Sequence, residues 1–378
     1  MQVWDGVSDS RIHFDPEETA GNGIIDTIFP KPKAPPAAYT VATMTENQNL
    51  TSALLTRLSS VAAIDTLDKT KVEDISLGED TATMDMTSWP IVSLAGSPRK
   101  LAARLLVGAD GFNSPVRTFA DITSRGWDYD RHGVVATIHT TGPGWRGHDH
   151  KTAYQRFLPT GPVALLPLPD NTASLVWSTT PAFAARLKSL SPPDFAAMVD
   201  AAFRLLPVDL EYMLTHLETG HADEVAWRIR NTSFVPEKVP QPVAGVQDGS
   251  VASFPLRMRH ADTYIGERVA LIGDAAHAIH PLAGQGLNQG LGDAQALARH
   301  LAYATEVGWD IGSSWALEGY NKEQWARNNA MLGTVDKLHK LYSAGSGPVV
   351  WGRSLGLNLV ERMDWLKGAL IRGASGSR

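Results

Sequence analysis

Hydrophobic and polar residues alternate with a period of two in several stretches of the chain, which predicts β-strands. An early pair of strands is expected around Val3 and Ile12, with a polar turn between them. In the middle of the chain the same pattern recurs, and strands are predicted over residues 134–140, 154–158, 163–168 and 173–179. The turn at residues 159–162 is typical of a hairpin. The simplest arrangement is an antiparallel meander with one face covering another part of the protein.

Other stretches place apolar residues at helical spacing. A first helix is predicted to begin near Asn49. Further helices are predicted over residues 182–190, 194–206, 287–304 and 314–342. A further amphipathic segment, residues 349–371, carries Trp351, Leu355, Leu359, Trp365 and Leu366 among polar residues. Packing of these side chains on the core is the ordinary interpretation of that pattern, and contact with a membrane or a partner is the alternative. Between the early strands and the first helix, Pro30, Pro32, Pro35 and Pro36 predict a loop.

Composition narrows the class of protein. The chain has 378 residues, of which 43% are hydrophobic and 20% charged, so one large domain or two interleaved ones are expected. The net charge of −6 and the lack of a Lys/Arg block argue against nucleic-acid binding. Cysteine is absent, which excludes disulfides, thiolate metal sites and a cysteine nucleophile. No apolar run approaches the roughly 18 residues that a membrane-spanning helix needs.

The first segment with candidate chemistry is residues 108–117, directly after an apolar run over residues 101–107 that predicts one strand. A strand followed by a glycine-rich turn, an acid and a helix is typical of a nucleotide site at the end of a parallel strand. Gly108 and Gly111 allow close backbone approach, Asp110 can accept a hydrogen bond from a ribose-type hydroxyl, and Arg117 can meet a phosphate. The alternative is a tight turn closed by an Asx-type hydrogen bond.

The second segment, residues 268–288, is longer and more specific. A predicted strand delivers Gly273 and Asp274 to a turn, where a carboxylate can bind a polyol hydroxyl. Gly284 and Gly286 then open a long helix, whose free N–H groups favour an anionic ring edge. Pro281 stiffens the loop between them. In the alternative interpretation, Asp274 only caps the turn and the glycines only permit close packing.

Two histidines in this loop, His277 and His280, raise the question of a metal site. No third ligand lies nearby in the sequence, and a structural role for both is favoured. Motifs for a serine-hydrolase elbow, a Walker loop or a zinc-protease helix are absent from the sequence. A Gly-x-Gly-x-x-Gly turn after an N-terminal strand is also absent upstream of residue 108.

Together the two segments, in this order and with strands between them, resemble the flavoprotein aromatic hydroxylases of the para-hydroxybenzoate hydroxylase fold, and within these the mitochondrial ubiquinone-biosynthesis branch. Residues 280–288 are the most telling match, with further matches at residues 1–5, 155–168 and 174–178. The proline-rich loop and residues 141–150 match poorly. The resemblance therefore covers nearly the whole chain.

This resemblance implies an α/β fold in which an incomplete, Rossmann-like FAD-binding domain is interleaved with an antiparallel-sheet substrate domain and followed by a helical C-terminus. The implied segments are residues 1–38 for substrate-domain strands and the proline-rich loop, 39–120 for part of the FAD-binding domain, 121–262 for the substrate domain, 263–305 for the rest of the FAD-binding domain, and 306–378 for the helical region. The family's N-terminal βαβ unit carries the glycine fingerprint. This chain is expected to be a shortened form that starts after that unit and lacks a leader.

The chemistry implied by the resemblance is hydroxylation of the phenol ring of a polyprenylated ubiquinone precursor. Reduced FAD takes up O2 to give a flavin hydroperoxide, and the chain binds and orients the reactants. The residues expected to bind FAD are Asp110, Arg117, Gly273, Asp274, Pro281, Gly284, Gly286, Leu287 and Asn288. No catalytic side chain and no metal ligand are assigned.

The same resemblance implies a ferredoxin-type electron donor, other ubiquinone-synthesis proteins as partners, and peripheral contact with the matrix side of the mitochondrial inner membrane. Two alternatives stay open. One is a truncated, non-catalytic scaffold of the ubiquinone-synthesis assembly, and the other is a flavin halogenase or prenyl reductase of related fold.

Overall fold

A computed structural model describes residues 1–14, 42–142, 152–216, 222–279, 284–344, 346–363 and 367 of the chain. The proline-rich loop and Pro281 lie outside these residues. The strands are β1 Gln2–Asp5, β2 Arg11–His13, β3 Val72–Leu77, β4 Pro90–Leu94, β5 Lys100–Ala102, β6 Leu106–Gly108, β7 Ser124–Thr140, β8 Tyr154–Leu158, β9 Gly161–Pro167, β10 Thr172–Thr179, β11 Val243–Val246, β12 Ala252–Ala261, β13 Ile265–Gly266, β14 Val269–Leu271 and β15 His277–Ala278. The α-helices are α1 Asn47–Ser59, α2 Pro115–Phe119, α3 Pro181–Ser189, α4 Pro192–Arg204, α5 Pro207–Thr215, α6 Ala222–Arg230, α7 Gly286–Glu306, α8 Ser314–Ser343 and α9 Pro348–Glu361.

The chain divides into two compact units, each built from separated stretches of sequence. The first comprises Met1–Leu58, Asp130–Pro255 and His339–Arg378, and the second comprises Ser59–Tyr129 and Leu256–Leu338. Strands β7 and β12 and helix α8 therefore contribute residues to both. The mixed α/β fold class is confirmed, while the assignment of five segments to substrate and FAD-binding roles stays a prediction.

In the first unit the strands form a sheet in the order β2-β1-β8-β9-β10-β7, with β11 also paired to β7. Strands β7 to β10 make the predicted antiparallel meander. Strand β1 joins it by parallel pairing with β8, which the sequence did not indicate. The hairpin between β8 and β9 is tighter than predicted, because Leu158 pairs with Gly161 and only Pro159 and Thr160 form the turn.

One face of this sheet is the core of the first unit. Because side chains alternate across a strand, Val134, Leu175 and Trp177 share one face, and none of them is exposed to solvent. Helices α3 to α6 cover that face with residues such as Leu187 and Phe195. Two of these helices begin where the sequence supplies a cap and a proline: the Thr180 hydroxyl accepts from Phe183 N before α3, and the Ser191 hydroxyl accepts from Asp194 N before α4.

A buried ion pair joins the two ends of the first unit's sequence. Both side chains, Asp5 on β1 and Arg353 on α9, are almost completely buried. Arg353 Nε and Nη2 donate to the two Asp5 carboxylate oxygens at 3.0 and 2.8 Å, and Nη1 donates to the carbonyl oxygens of Leu341 and Ala344. Every charged atom of the pair therefore has a partner, which is the condition for tolerating buried charge.

In the second unit, two short strands lie side by side in parallel. Val269 of β14 pairs with Leu106 of β6, and β13 adds an antiparallel edge. Helices α7 and α8 bury the strands with Ala296, Leu297 and Tyr320, and the Tyr320 hydroxyl donates to Leu271 O at 2.6 Å.

The prediction of one strand over residues 101–107 is wrong. The run is divided into β5, which pairs with β4, and β6, which pairs with β14. Because the two halves pair with different partners, the chain must bend between them.

Helix α1 is present as predicted, yet none of its residues is buried. Within the described residues, no helix is both long and apolar enough to cross a membrane.

Replacement of Arg353 by Met is expected to lower the free energy of unfolding by about 3–5 kcal/mol, because it leaves the Asp5 carboxylate buried without a partner. Urea unfolding followed by circular dichroism measures the loss. The matched control is Lys322→Met, which breaks the exposed Lys322–Glu318 pair and should cost less than about 1 kcal/mol. Equal stability of the two variants would contradict a structural role for the buried pair.

Candidate flavin site

The two glycine-rich turns of the second unit lie at the same edge of its parallel strands. Strand β6 ends at Gly108 and β14 ends at Leu271, and these two residues are paired. Ile272 N donates to Gly108 O at 2.9 Å, so the pairing continues into the second turn. The crevice outside the carboxyl ends of parallel strands is where open α/β sheets bind ligands.

The turn after β14 is a single 3-10 turn, Gly273–Ala275, followed by β15. Gly273 has a positive φ of +58°, which a side chain would disfavour. The turn also lies close to helix α7, since a Cβ atom added to Gly290 would be 3.3 Å from Gly273 Cα. Asp274 projects from this turn with an exposed side chain. None of the described residues forms a hydrogen bond with its carboxylate.

Helix α7 begins with an open N-terminus. Gln285 occupies the N-cap position without a side-chain capping hydrogen bond, and the first turn contains no acid. The first N–H groups and the positive end of the 21-residue helix are thus available to an anion. Gly284 precedes it with a φ of +59°. Around this end, Gly286 is half-buried, Leu287 is 54% exposed and Asn288 is exposed.

In the first turn, the Asp110 carboxylate bonds to a backbone N–H six residues further on, which is not the Asx-type bond of the alternative interpretation. Its Oδ2 accepts from Val116 N at 3.1 Å, and Ser114 caps α2 by accepting from Arg117 N at 2.9 Å. The Asp110 side chain is nevertheless exposed. Gly108 is required by close packing, because an added Cβ would come within 2.9 Å of Val116.

Arg117 links the two turns. Its Nη1 donates to Ala275 O at 2.7 Å and its Nη2 donates to Phe112 O at 2.8 Å. The guanidinium therefore holds the Asp110 segment and the Asp274 segment together. The structure thus brings together the sequence-predicted residues of both segments, apart from Pro281, which lies outside the described residues.

A residue that the sequence analysis missed lies beneath the second turn. Asp293, on the inner face of α7, has no exposed surface. Its carboxylate accepts from Gly273 N at 3.0 Å and Asn328 Nδ2 at 2.9 Å, and it lies 2.6 Å from His277 Nε2. The sequence did contain a signal for this residue. Asp293 precedes Ala296 and Leu297 by three and four residues, so it lies on the apolar face of the helix, where an acid is unusual.

His277 is thus a buried partner of Asp293, as its predicted structural role requires. His260 pairs with it across β12 and β15 and lies 2.8 Å from the Tyr264 hydroxyl. The pKa of His260 is lowered to about 4, mainly by burial and to a smaller extent by repulsion from His277. Burial also raises the pKa of Tyr264, so both groups are neutral near neutral pH.

Comparison with known proteins identifies the family of this chain. A model described as an FAD binding domain matches residues 31–230 and 215–334. The ubiquinone biosynthesis monooxygenase COQ6, mitochondrial, of Saccharomyces cerevisiae is 42% identical over 351 residues, which are 88% of this chain and 72% of the relative. Human COQ6 is 36% identical over 377 residues, covering 99% of this chain and 75% of the relative. The chain belongs to this family of ubiquinone biosynthesis monooxygenases.

Solved structures agree in fold with this family assignment. The p-nitrophenol 4-monooxygenase PnpA of Pseudomonas putida DLL-E4 aligns with a TM-score of 0.64 and 16% identity, covering 100% of this chain and 80% of PnpA. The probable FAD-dependent monooxygenase PqsL of Pseudomonas aeruginosa aligns with a TM-score of 0.57 and 22% identity, covering 82% and 72%. Membership in the COQ6 family confirms the predicted resemblance, the monooxygenase class and FAD as the cofactor.

The residues present fit a flavin. The exposed Asp274 carboxylate, which has no hydrogen-bond partner among the described residues, suits a polyol hydroxyl, and the N-terminus of α7 suits the anionic edge of a reduced ring. Both lie in one unit and are held by the same buried carboxylate, Asp293.

Replacement of Asp274 by Ala is expected to weaken FAD binding about tenfold or more, because it removes a charge-assisted hydrogen bond to the cofactor. A flavin fluorescence titration measures the dissociation constant. Asp65→Ala, at an exposed position of the same unit, is the control and should bind FAD as the wild type does. The role given to Asp274 is wrong if both variants bind FAD equally well.

Proposed function

We propose that the chain hydroxylates the aromatic ring of a polyprenylated ubiquinone precursor. The observation that carries the proposal is the meeting of the two turns at the carboxyl ends of β6 and β14, joined by the hydrogen bond from Arg117 to Ala275 O. Family membership supports the substrate class, because the relatives are named ubiquinone biosynthesis monooxygenases.

In this proposal FAD, when bound, supplies the oxygen activation and the redox chemistry. The overall reaction takes up O2, two electrons and two protons, inserts one oxygen atom into an aromatic C–H bond, and releases water. The chain contributes binding, orientation and exclusion of water.

Each residue predicted to bind FAD has a role in this proposal. Asp274 would bind the ribityl hydroxyls, and the α7 N-terminus at Gly286 would stabilise the negative charge that a flavin ring gains on reduction. Leu287 and Asn288 would contact the ring. Asp110 and Arg117 order the nucleotide side. Gly273 and Gly284 shape the loop with their positive φ angles, and Pro281 is assigned to it from the sequence alone.

The face of the first unit's sheet opposite its helices supports an apolar aromatic substrate. Several residues on this face are only partly buried and combine apolar with hydroxyl side chains; they are Val135, Thr137, Ala164, Leu166, Ser174 and Val176. Such a face suits the ring and the first part of a polyprenyl tail.

A ferredoxin-type protein is the proposed electron donor, with other ubiquinone-synthesis proteins as partners. The proposed location is the matrix side of the mitochondrial inner membrane, where the polyprenylated substrate dissolves. The relatives' mitochondrial names support the compartment.

Helix α9 supports peripheral contact with this membrane. Its exposed face carries Trp351, Leu355 and Leu359, which are 71%, 56% and 56% exposed. Its inner face is anchored by the buried Arg353. The interpretation that the Trp351 stripe packs on the core is therefore wrong for these three residues, because Arg353 and Leu357 take the inner positions. Trp and Leu on one exposed helical face suit the headgroup boundary of a bilayer.

The proposed reaction is tested with FAD-supplemented chain, reduced ferredoxin, O2 and a phenol with a short polyprenyl tail. Mass spectrometry is expected to find a product heavier by one oxygen atom, and Asp274→Ala at the same FAD concentration should make less of it. Oxygen consumption that yields only hydrogen peroxide would contradict the proposed substrate.

The double variant Trp351→Ser with Leu355→Ser is expected to lower binding to vesicles that contain anionic phospholipid by about tenfold or more, since each lost side chain removes buried apolar area. Cosedimentation measures the bound fraction. Trp227→Ser is the control, because Trp227 is 56% exposed on α6 of the same unit. The membrane role of α9 fails if the double variant sediments with vesicles as well as the wild type does.

A further inference from the structure

The acid within α7 is the most unusual side chain of the second unit. Asp293 is fully buried, and its neighbours on the same face, Ala296 and Leu297, are core residues. Burying a carboxylate is costly unless hydrogen bonds replace those lost from water. The three contacts of Asp293 offset that cost, so their arrangement shows what the residue holds in place.

Two of the three contacts lie on either side of Asp274. Gly273 N and His277 Nε2 both approach Asp293 Oδ2, at 3.0 and 2.6 Å. The third, Asn328 Nδ2 on α8, donates to Oδ1 at 2.9 Å. A single oxygen thus fixes the start of the turn and the strand after it, and the turn between them carries Asp274.

The polar surroundings of the carboxylate follow from these contacts. Both Asp293 oxygens lie within hydrogen-bond distance of a nitrogen from Gly273, His277 or Asn328. His260 and Tyr264, which lie next to His277, are neutral near neutral pH and supply no competing charge. The polar partners of the Asp293 carboxylate are therefore Gly273, His277 and Asn328.

We infer that Asp293 is a positioning residue for the cofactor: it fixes the Gly273–Ala275 turn against α7, so that the Asp274 carboxylate and the α7 N-terminus face the same flavin. The inference rests on the proposed function, because it takes a flavin as the ligand of the turn. Asp293 itself is buried and acts through Gly273 and His277.

The variant Asp293→Asn keeps the shape of the side chain but changes its hydrogen-bonding groups. The amide has the same size, but it offers one acceptor oxygen and an NH2 group in place of two acceptor oxygens. At least one of the three contacts must then be lost or rearranged. The turn is expected to open more often.

Hydrogen exchange on the flavin-free chain measures this opening directly. In Asp293→Asn, a peptide covering residues 271–278 should exchange about tenfold faster than in the wild type, as expected for one lost charge-assisted bond. Asp336→Asn is the matched control, because Asp336 is also a buried carboxylate of the second unit and interacts with Tyr129 instead. Its exchange at residues 271–278 should equal that of the wild type. Equal exchange in Asp293→Asn and the wild type would overturn the inference.

Asn328→Ala covers the case in which Asp293→Asn does not fold. It removes one of the three donors and leaves the charge and the Gly273 bond in place. Exchange at residues 271–278 should rise about threefold, less than for loss of a bond to the turn itself. No rise in this variant would contradict the inference.

FAD titration distinguishes a role of Asp293 in positioning the cofactor from a role in protein stability alone. Asp293→Asn should bind FAD about tenfold more weakly and shift the midpoint potential of any flavin it retains, whereas Asp336→Asn should change neither. Unchanged affinity and potential in Asp293→Asn would overturn the inference. If the wild type retains no flavin, the proposed function fails, and the exchange result alone decides whether Asp293 fixes the turn.

Discussion

Parallel pairing of two short strands, β6 and β14, is the constraint on which the candidate site depends. It brings two turns that are more than 150 residues apart in sequence to one edge, and Arg117 then joins them through its bond to Ala275 O. The glycines follow from this closeness, since Gly108 leaves no room for a side chain beside Val116. Asp274 and the open end of α7 become parts of one site only because the strands and the helix are held in register.

In each unit a buried carboxylate fixes an element to which we assign a candidate function. In the first unit, Asp5 holds α9 through Arg353, and the apolar residues of that helix face outward. In the second unit, Asp293 holds the turn that carries Asp274. Buried charge is an expensive way to gain stability, but it penalises any arrangement that leaves the charge without its partners. We therefore interpret both carboxylates as devices that fix geometry.

The parts predicted from sequence are those determined locally. The strand Tyr154–Leu158 has the predicted bounds, and the Gly273–Asp274 turn follows directly after its strand. Local patterns do not reveal which distant residues meet. Asp5 and Arg353 are separated by nearly the whole chain, and Asp293 meets Gly273 only when α7 packs on the turn.

The errors have the same origin. The run 101–107 has the composition of one strand, but its two halves pair with different neighbours. The pattern of α9 predicts an apolar face correctly, yet it does not say whether the core or another surface takes that face. The buried partner of Arg353 decides the question, and that partner lies on the first strand.

The central claim is that the Asp274 turn and the α7 N-terminus bind FAD in this chain. The most direct measurement is the visible spectrum of the purified 378-residue chain after incubation with excess FAD and removal of the free cofactor, with absorbance compared to total protein. Near-stoichiometric flavin absorbance is the predicted result. No retained flavin, in protein shown to be folded by circular dichroism, would contradict the claim and favour a non-catalytic scaffold.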